Sequence, residues 1–256
     1  MTFSAAFSPC PNDIFLFRSF LEKHEGFPSL RQIMIADIAS LNFYALEARF
    51  PLIKISASLY PKVADAYHVL NVGTTLGYKI GPLILSKEPD KKLTTLATPG
   101  ATTTAHALCR LFYPQIELVP MRYQEIIPAI LTNRVDGGAV IHEDRFSFPK
   151  ELCIIEDLGQ LWEKTWRLPL PLGCIVISKE LSTDDSYLLS NALQKSLKRS
   201  LTESSLAIQK ASEYSRDKSS DTIQRFVDTY VTKETFHLSS IGQQALSTLW
   251  TACRNA

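Results

Sequence analysis

Short apolar runs alternate with amphipathic stretches through the first two thirds of this chain, and that rhythm constrains the fold more than any other feature. Runs at 3–7, 34–38, 52–56, 83–85, 93–97, 116–120, 138–141 and 175–177 have the length and residue types of strands. Between them, 13–24, 38–50, 60–70, 102–112 and 123–133 carry apolar residues at helical spacing, the first after an Asn/Asp cap signal. Strands alternating with helices predict βαβ units and a mostly parallel sheet, hence an α/β fold. The tail differs. From Ser186 onward Leu189, Leu193, Leu197 and Leu201 recur every fourth residue, the pattern of helices laid against an existing core. With 256 residues and 45% hydrophobic side chains, the chain can fill one large core or two small ones.

An internal echo bears on that choice. Pro82-Leu-Ile-Leu-Ser-Lys-Glu88 resembles Gly173-Cys-Ile-Val-Ile-Ser-Lys-Glu180, each an apolar run ending in Ser-Lys-Glu. If both are crossovers, residues 1–91 and 175–256 form a discontinuous lobe 1, residues 92–174 form lobe 2, and a ligand cleft lies between them. Ser-Lys-Glu is also a common polar strand end, so the echo by itself fits either reading.

Charge excludes several function classes. The net charge is +1 with mixed signs throughout, so there is neither a basic footprint for nucleic acid nor a polybasic membrane anchor. No apolar run approaches the ~20 residues of a bilayer span, and the first residues lack a signal-peptide pattern. The expectation is a cytoplasmic protein acting on a small molecule. Its five cysteines, Cys10, Cys109, Cys153, Cys174 and Cys253, are scattered without a C-x-x-C pair, which suggests reduced thiols and no zinc site. No G-x-G-x-x-G follows a strand, so no cofactor is expected.

Four segments end apolar runs in polar chemistry. Val135-Asp-Gly-Gly-Ala-Val-Ile-His142-Glu143 leads a strand into an ionisable pair, and strand ends in open α/β sheets face ligand clefts. Imidazole is the side chain best matched to proton transfer near neutral pH, although a lone His after a strand also serves as an ordinary loop residue. Ser8-Pro-Cys-Pro-Asn-Asp13 places Asn12 or Asp13 to cap a helix or to meet a ligand. Lys54 and Ser56 share one face of their strand. In Leu96-Ala-Thr-Pro-Gly-Ala-Thr-Thr-Thr-Ala105, Thr103 and Thr104 open a helix, where free N–H groups suit a carboxylate or phosphate. The segment lacks the Gly-Lys-[Ser/Thr] ending of a P-loop.

These motifs, followed by Asp157-Leu-Gly-Gln-Leu-Trp162 and Leu168-Pro-Leu-Pro-Leu-Gly173, occur in an order that resembles the 1,4-dihydroxy-6-naphthoate synthase family of the futalosine route to menaquinone. The resemblance spans roughly residues 1–180. It implies a two-lobe type 2 periplasmic-binding-protein-like fold and a lyase acting on cyclic de-hypoxanthine futalosine. It further implies His142 as proton acceptor and Lys54, Ser56, Thr103 and Thr104 as substrate-binding residues; Asn12 joins them as a candidate from its own position after a strand. The chain departs from the family pattern at Ala101-Thr102, at Asp144-Arg145-Phe146 and at Trp166-Arg167, so contacts there are expected to differ. The chorismate dehydratase of the same pathway, and a non-catalytic binding module on the same scaffold, are the alternative readings.

Overall fold

The computed structural model describes residues 3–216 and 218–254. In chain order the elements are β1 (Phe3–Phe7), α1 (Pro11–Leu21), β2 (Leu30–Ile35), α2 (Ile38–Leu46), β3 (Leu52–Ser56), α3 (Tyr60–Val63), β4 (Tyr67–Val69) and β5 (Thr75–Gly77). There follow β6 (Leu83–Ser86), β7 (Thr95–Thr98), α4 (Thr104–Phe112), β8 (Glu117–Pro120), α5 (Tyr123–Leu131), β9 (Gly137–Val140), β10 (Cys153–Asp157) and α6 (Leu158–Trp166). The chain ends with β11 (Leu170–Ser178), α7 (Thr183–Thr202), α8 (Ser204–Tyr214), α9 (Ser220–Tyr230), α10 (Lys233–Phe236) and α11 (Ser240–Arg254).

Two sheets organise these elements. The first has the order β2-β1-β3-β11-β4, with β5 also paired to β11; the second has the order β10-β6-β9-β7-β8. Both are mixed, which corrects the expectation of a mostly parallel sheet. β1 runs parallel to β2 and β3, but β11 returns antiparallel to β3, β4 and β5. In the second sheet β7 is parallel to β8 and β9, while β6 is antiparallel to β9 and β10. The antiparallel members are the strands that carry the chain between sheets, which strand-helix alternation alone does not reveal.

The echo strands fall in different sheets, β6 in the second and β11 in the first. The chain therefore changes lobe between Gly77 and Leu83, and returns between Asp157 and Leu170. These connections run side by side at residues 81–82 and 157–159. Leu158 N–H donates to Pro82 O at 3.0 Å, and a Cβ on Gly81 would lie 2.5 Å from Gly159 N. Only glycine fits so close a backbone approach.

The expected helix over 60–70 is cut short. α3 ends at Val63, and the chain then pairs as β4 with Val176–Ser178 of β11, burying Tyr67, whose hydroxyl donates to Phe50 O at 2.8 Å. Tertiary pairing outweighs local helical spacing here. β5, β10 and α6 lay outside the expected elements, and β2 begins four residues before its expected start.

Three of the four stripe leucines behave as expected, while Leu201, in the last turn of α7, is exposed. Leu189, Leu193 and Leu197 of α7 are buried with Phe15 and Phe17 of α1 in the core beneath the first sheet. Each such burial contributes about 1.5–3 kcal/mol. Phe7 and Phe17 stack at 4.0 Å between centroids. At the other end α11 reaches across, since Leu246 and Leu249 pack in one cluster with Leu158 and Trp162, and Trp250 Nε1–H donates to Ala57 O at 2.9 Å.

Candidate active site

The carboxyl ends of β1, β3 and β9 open onto one cavity between the sheets. It is lined by all six expected site residues, Asn12, Lys54, Ser56, Thr103, Thr104 and His142, and encloses about 720 Å³ of empty space, part of it continuous with solvent.

His142 follows β9 on a short 3-10 turn, with φ +60. A non-glycine residue held in this left-handed region is strained by about 1–3 kcal/mol, and such strain clusters at functional sites. Gly138 of β9 lets α5 pack close to the strand, since a Cβ there would lie 2.4 Å from Ile126 Cγ2. The imidazole Nδ1 lies 2.9 Å from the Cys10 Sγ, and the ring meets the Tyr123 ring edge-on at 5.0 Å. Nε2 has no hydrogen-bond partner among the described residues. Burial pulls the imidazole pKa down to about 4 against the opposing pull of Asp13 and Asp37, so the ring is neutral at pH 7. Cys10 caps α1, yet burial together with Glu143 and Asp13 pushes its thiol well above the ordinary value, and it too is uncharged.

Lys54 is buried, and its three ammonium protons are taken up by Asp13 Oδ1 (3.0 Å), Thr75 Oγ1 (3.0 Å) and Gly73 O (3.2 Å). Asp13 also accepts from the Ser8 hydroxyl at 2.6 Å and from Asn12 Nδ2 at 3.1 Å. Asn12 thus helps to hold the carboxylate, and its amide also donates to Thr75 Oγ1 at 3.1 Å. Ser56 accepts from Asn42 Nδ2 at 2.9 Å while its own N–H donates to Asn42 Oδ1 at 2.9 Å. The same Asn42 amide reaches Thr102 O at 3.0 Å, tying β3 to the loop before α4.

Both threonine hydroxyls are engaged within the protein. Thr103 caps α4, accepting from His106 N and donating to Gly100 O at 2.9 Å. Thr104 Oγ1 donates to Leu172 O at 2.9 Å and accepts from Ser58 N at 3.2 Å, joining the second lobe to the first. The N–H groups of Thr104 and Ala105 have no acceptor among the described residues, and both residues line the cavity. Two free amides at a helix N-terminus beside a buried lysine suit an anion.

Arg145, Phe226 and Tyr230 also line the cavity, and none of them was assigned a role from sequence. Arg145 is fixed by Asp157 at 2.9 Å and by Gly81 O, beside Tyr230 and Phe226 of α9, which complete the wall. Arg216, in the loop after α8, reaches Asp144 at 3.2 Å and lies over the Tyr123 ring at 5.4 Å. Asn42 had a readable signal, a polar side chain on the apolar face of α2 between Ile38 and Ala45. The residues of α9 had none, because nothing in their spacing tells which part of the core the tail covers. Among the described residues, no group of three or more His, Cys, Asp or Glu is placed to hold a metal ion, and no helix is long and apolar enough to cross a membrane.

A sequence family described as menaquinone biosynthesis matches residues 3–255. The chain belongs to this menaquinone biosynthesis family. A curated relative in Thermus thermophilus, named 1,4-dihydroxy-6-naphthoate synthase, is 34% identical over 95% of this chain and 91% of its own length. Among solved structures, protein AF1704 of Archaeoglobus fulgidus superimposes with a TM-score of 0.94 at 29% identity, covering 99% of this chain and 97% of its own. The periplasmic aliphatic sulphonate binding protein SsuA of Escherichia coli gives 0.66 at 10% identity, over 98% and 87% of the two chains. The two-lobe periplasmic-binding-protein fold is therefore the scaffold of this menaquinone biosynthesis family member.

Proposed function

We propose that the protein is a carbon-carbon lyase that converts cyclic de-hypoxanthine futalosine to 1,4-dihydroxy-6-naphthoate, with His142 as the general base. The observation that carries this reading is a neutral imidazole at the end of a strand with Nδ1 at 2.9 Å from the Cys10 Sγ: in the tautomer that donates Nδ1–H to this sulfur, the Nε2 lone pair faces the cleft with no partner among the described residues. A base positioned within hydrogen-bond reach of its proton contributes about 10²- to 10⁴-fold. Proton removal is followed by cleavage of the bond to the sugar-derived part, and formation of the aromatic dihydroxynaphthoate drives the step.

The rest of the cleft supports binding of a carboxylate. The amides of Thr104 and Ala105 donate to it, the Ser56 hydroxyl faces it from the other lobe, and Lys54 supplies positive potential while remaining bonded to Asp13. In this reading Thr103 and Thr104 act through their backbone position and not through their hydroxyls. Asn12 holds the Asp13–Lys54 pair and lines the floor. Lobe closure over the substrate would exclude water.

The test is direct. Purified protein mixed with the cyclic substrate is expected to produce naphthoate absorbance, and His142→Asn is expected to lose ~10²-fold or more in turnover while still binding substrate. Absence of product from the wild-type protein would reject the lyase reading; a fully active Asn variant would move the base elsewhere.

A further inference from the structure

A second, smaller pocket lies on another face of α4. The first lobe contributes Ser58 and Lys62, the second Thr102, His106 and Arg110, and α11 contributes Cys253. No carboxylate lines it. Lys62 and Arg110 make no ion pair or hydrogen bond among the described residues.

His106 makes this more than a pair of solvated cations. It is 6% exposed, and its Nδ1 lies 2.9 Å from Thr98 Oγ1. Thr98 is fully buried, and its hydroxyl has no other partner among the described residues. If the hydroxyl accepted from Nδ1–H, its own proton would be buried without an acceptor, at a cost of about 1–3 kcal/mol. The hydroxyl therefore donates to Nδ1, which puts the imidazole proton on Nε2. That N–H has no acceptor among the described residues, and the ring lines the pocket. Burial and the two cations keep the ring neutral at pH 7. One buried neutral donor and two unpaired cations thus converge on a space without negative charge.

We propose that this pocket is a second ligand site, taking a small oxyanion of the phosphate or carboxylate class held by His106 Nε2–H, Arg110 and Lys62. Lys62 belongs to the first lobe, Arg110 and His106 to the second, so a bound anion bridges them and favours their apposition. The site shares Thr103 with the catalytic cavity, which makes it a neighbour of the cleft with a separate set of donors.

Inorganic phosphate is the probe, titrated at constant ionic strength against chloride and followed by the imidazole resonances of the whole protein, assigned with His106→Asn and His142→Asn variants. The expected result is a saturable shift of the His106 signal with phosphate only. Arg110→Gln and Lys62→Gln, both surface changes, are each expected to weaken it by about tenfold or more, as for loss of a hydrogen bond to a charged group. A His106 signal that moves no more with phosphate than with chloride overturns the proposal. So does a response at His142 alone, which would put the anion in the cleft, or titrations of both variants that match wild type.

Discussion

At His142, burial competes with the carboxylates of Asp13 and Asp37, and burial wins, holding the imidazole at about 4. The acid limb of kcat/KM is therefore expected well below the ordinary histidine range near 6.5, with activity falling only as pH approaches 4, and the limb should vanish from the residual rate of His142→Asn. The same shift sets a stability slope. An unfolded chain protonates this residue near 6.5 and the folded chain only near 4, so between those values the unfolded state holds the additional proton. Stability is full above 6.5 and declines as pH drops toward 4, with His106 acting in the same direction. Urea midpoints measured across that window should fall less steeply for His142→Asn than for wild type. Lys54 gives a contrasting case. Lys54→Met leaves Asp13 buried without its counter-charge and should cost about 3–5 kcal/mol, much of it recovered in the Asp13→Asn/Lys54→Met double variant. Equal urea midpoints for Lys54→Met and wild type would mark Lys54 as a binding residue with no structural load. The strand-end position of His142 was legible in the sequence. Its partner was not, because the Cys10 contact spans 132 residues and arises only when the two lobes meet.

The start of α4 shows how one helix end serves two purposes. Thr103 closes the helix through its hydroxyl, and Thr104 uses its own to join Leu172 O and Ser58 N across the lobes. Thr103→Ala is expected to lower stability by about 1 kcal/mol, the worth of an N-cap, and to leave KM little changed because the substrate is met by amides. Thr104→Val removes the contact between lobes and should raise KM while costing more stability than Thr103→Ala. Thermal melts and steady-state kinetics on the pair separate these effects; a large KM increase in Thr103→Ala with no change in melting would return the hydroxyl to the substrate. Threonines after a Pro-Gly turn announced the helix start, and the leucine stripe of α7 announced its buried face. Helical spacing misled at 60–70, where pairing with β11 converts the segment after Val63 into strand. Residues of the tail that wall the cleft, Phe226 and Tyr230, could not be placed because an amphipathic pattern gives a face and not its partner.

For the whole molecule, the alternation of strands and helices foretold the fold class, and the Ser-Lys-Glu echo pointed to two crossings. The sequence could not say to which sheet β6 belongs, because it reads identically as the last strand of one sheet or the first of the next; it pairs within the second. Both crossings meet where Gly81 lies against Gly159, so the second lobe enters and leaves the first at one place. The first sheet, in turn, depends on β11, which pairs with β3, β4 and β5. A consequence concerns time. During synthesis from the N-terminus, strands β3 to β5 emerge early but lack their shared neighbour until residue 178 has left the ribosome, after every strand of the second sheet. Pairings between residues distant in sequence form slowly, because loop closure precedes any gain in contacts. The second lobe is thus expected to mature first, and pulse-labelled hydrogen exchange during refolding should show amides of β6 to β9 protected before those of β4 and β5. Simultaneous protection would mean that the two lobes fold as one unit. If the order holds, the nascent chain passes through an interval in which a finished inner lobe hangs from an open sheet edge, and it is there, more than in the mature enzyme, that it is exposed to aggregation.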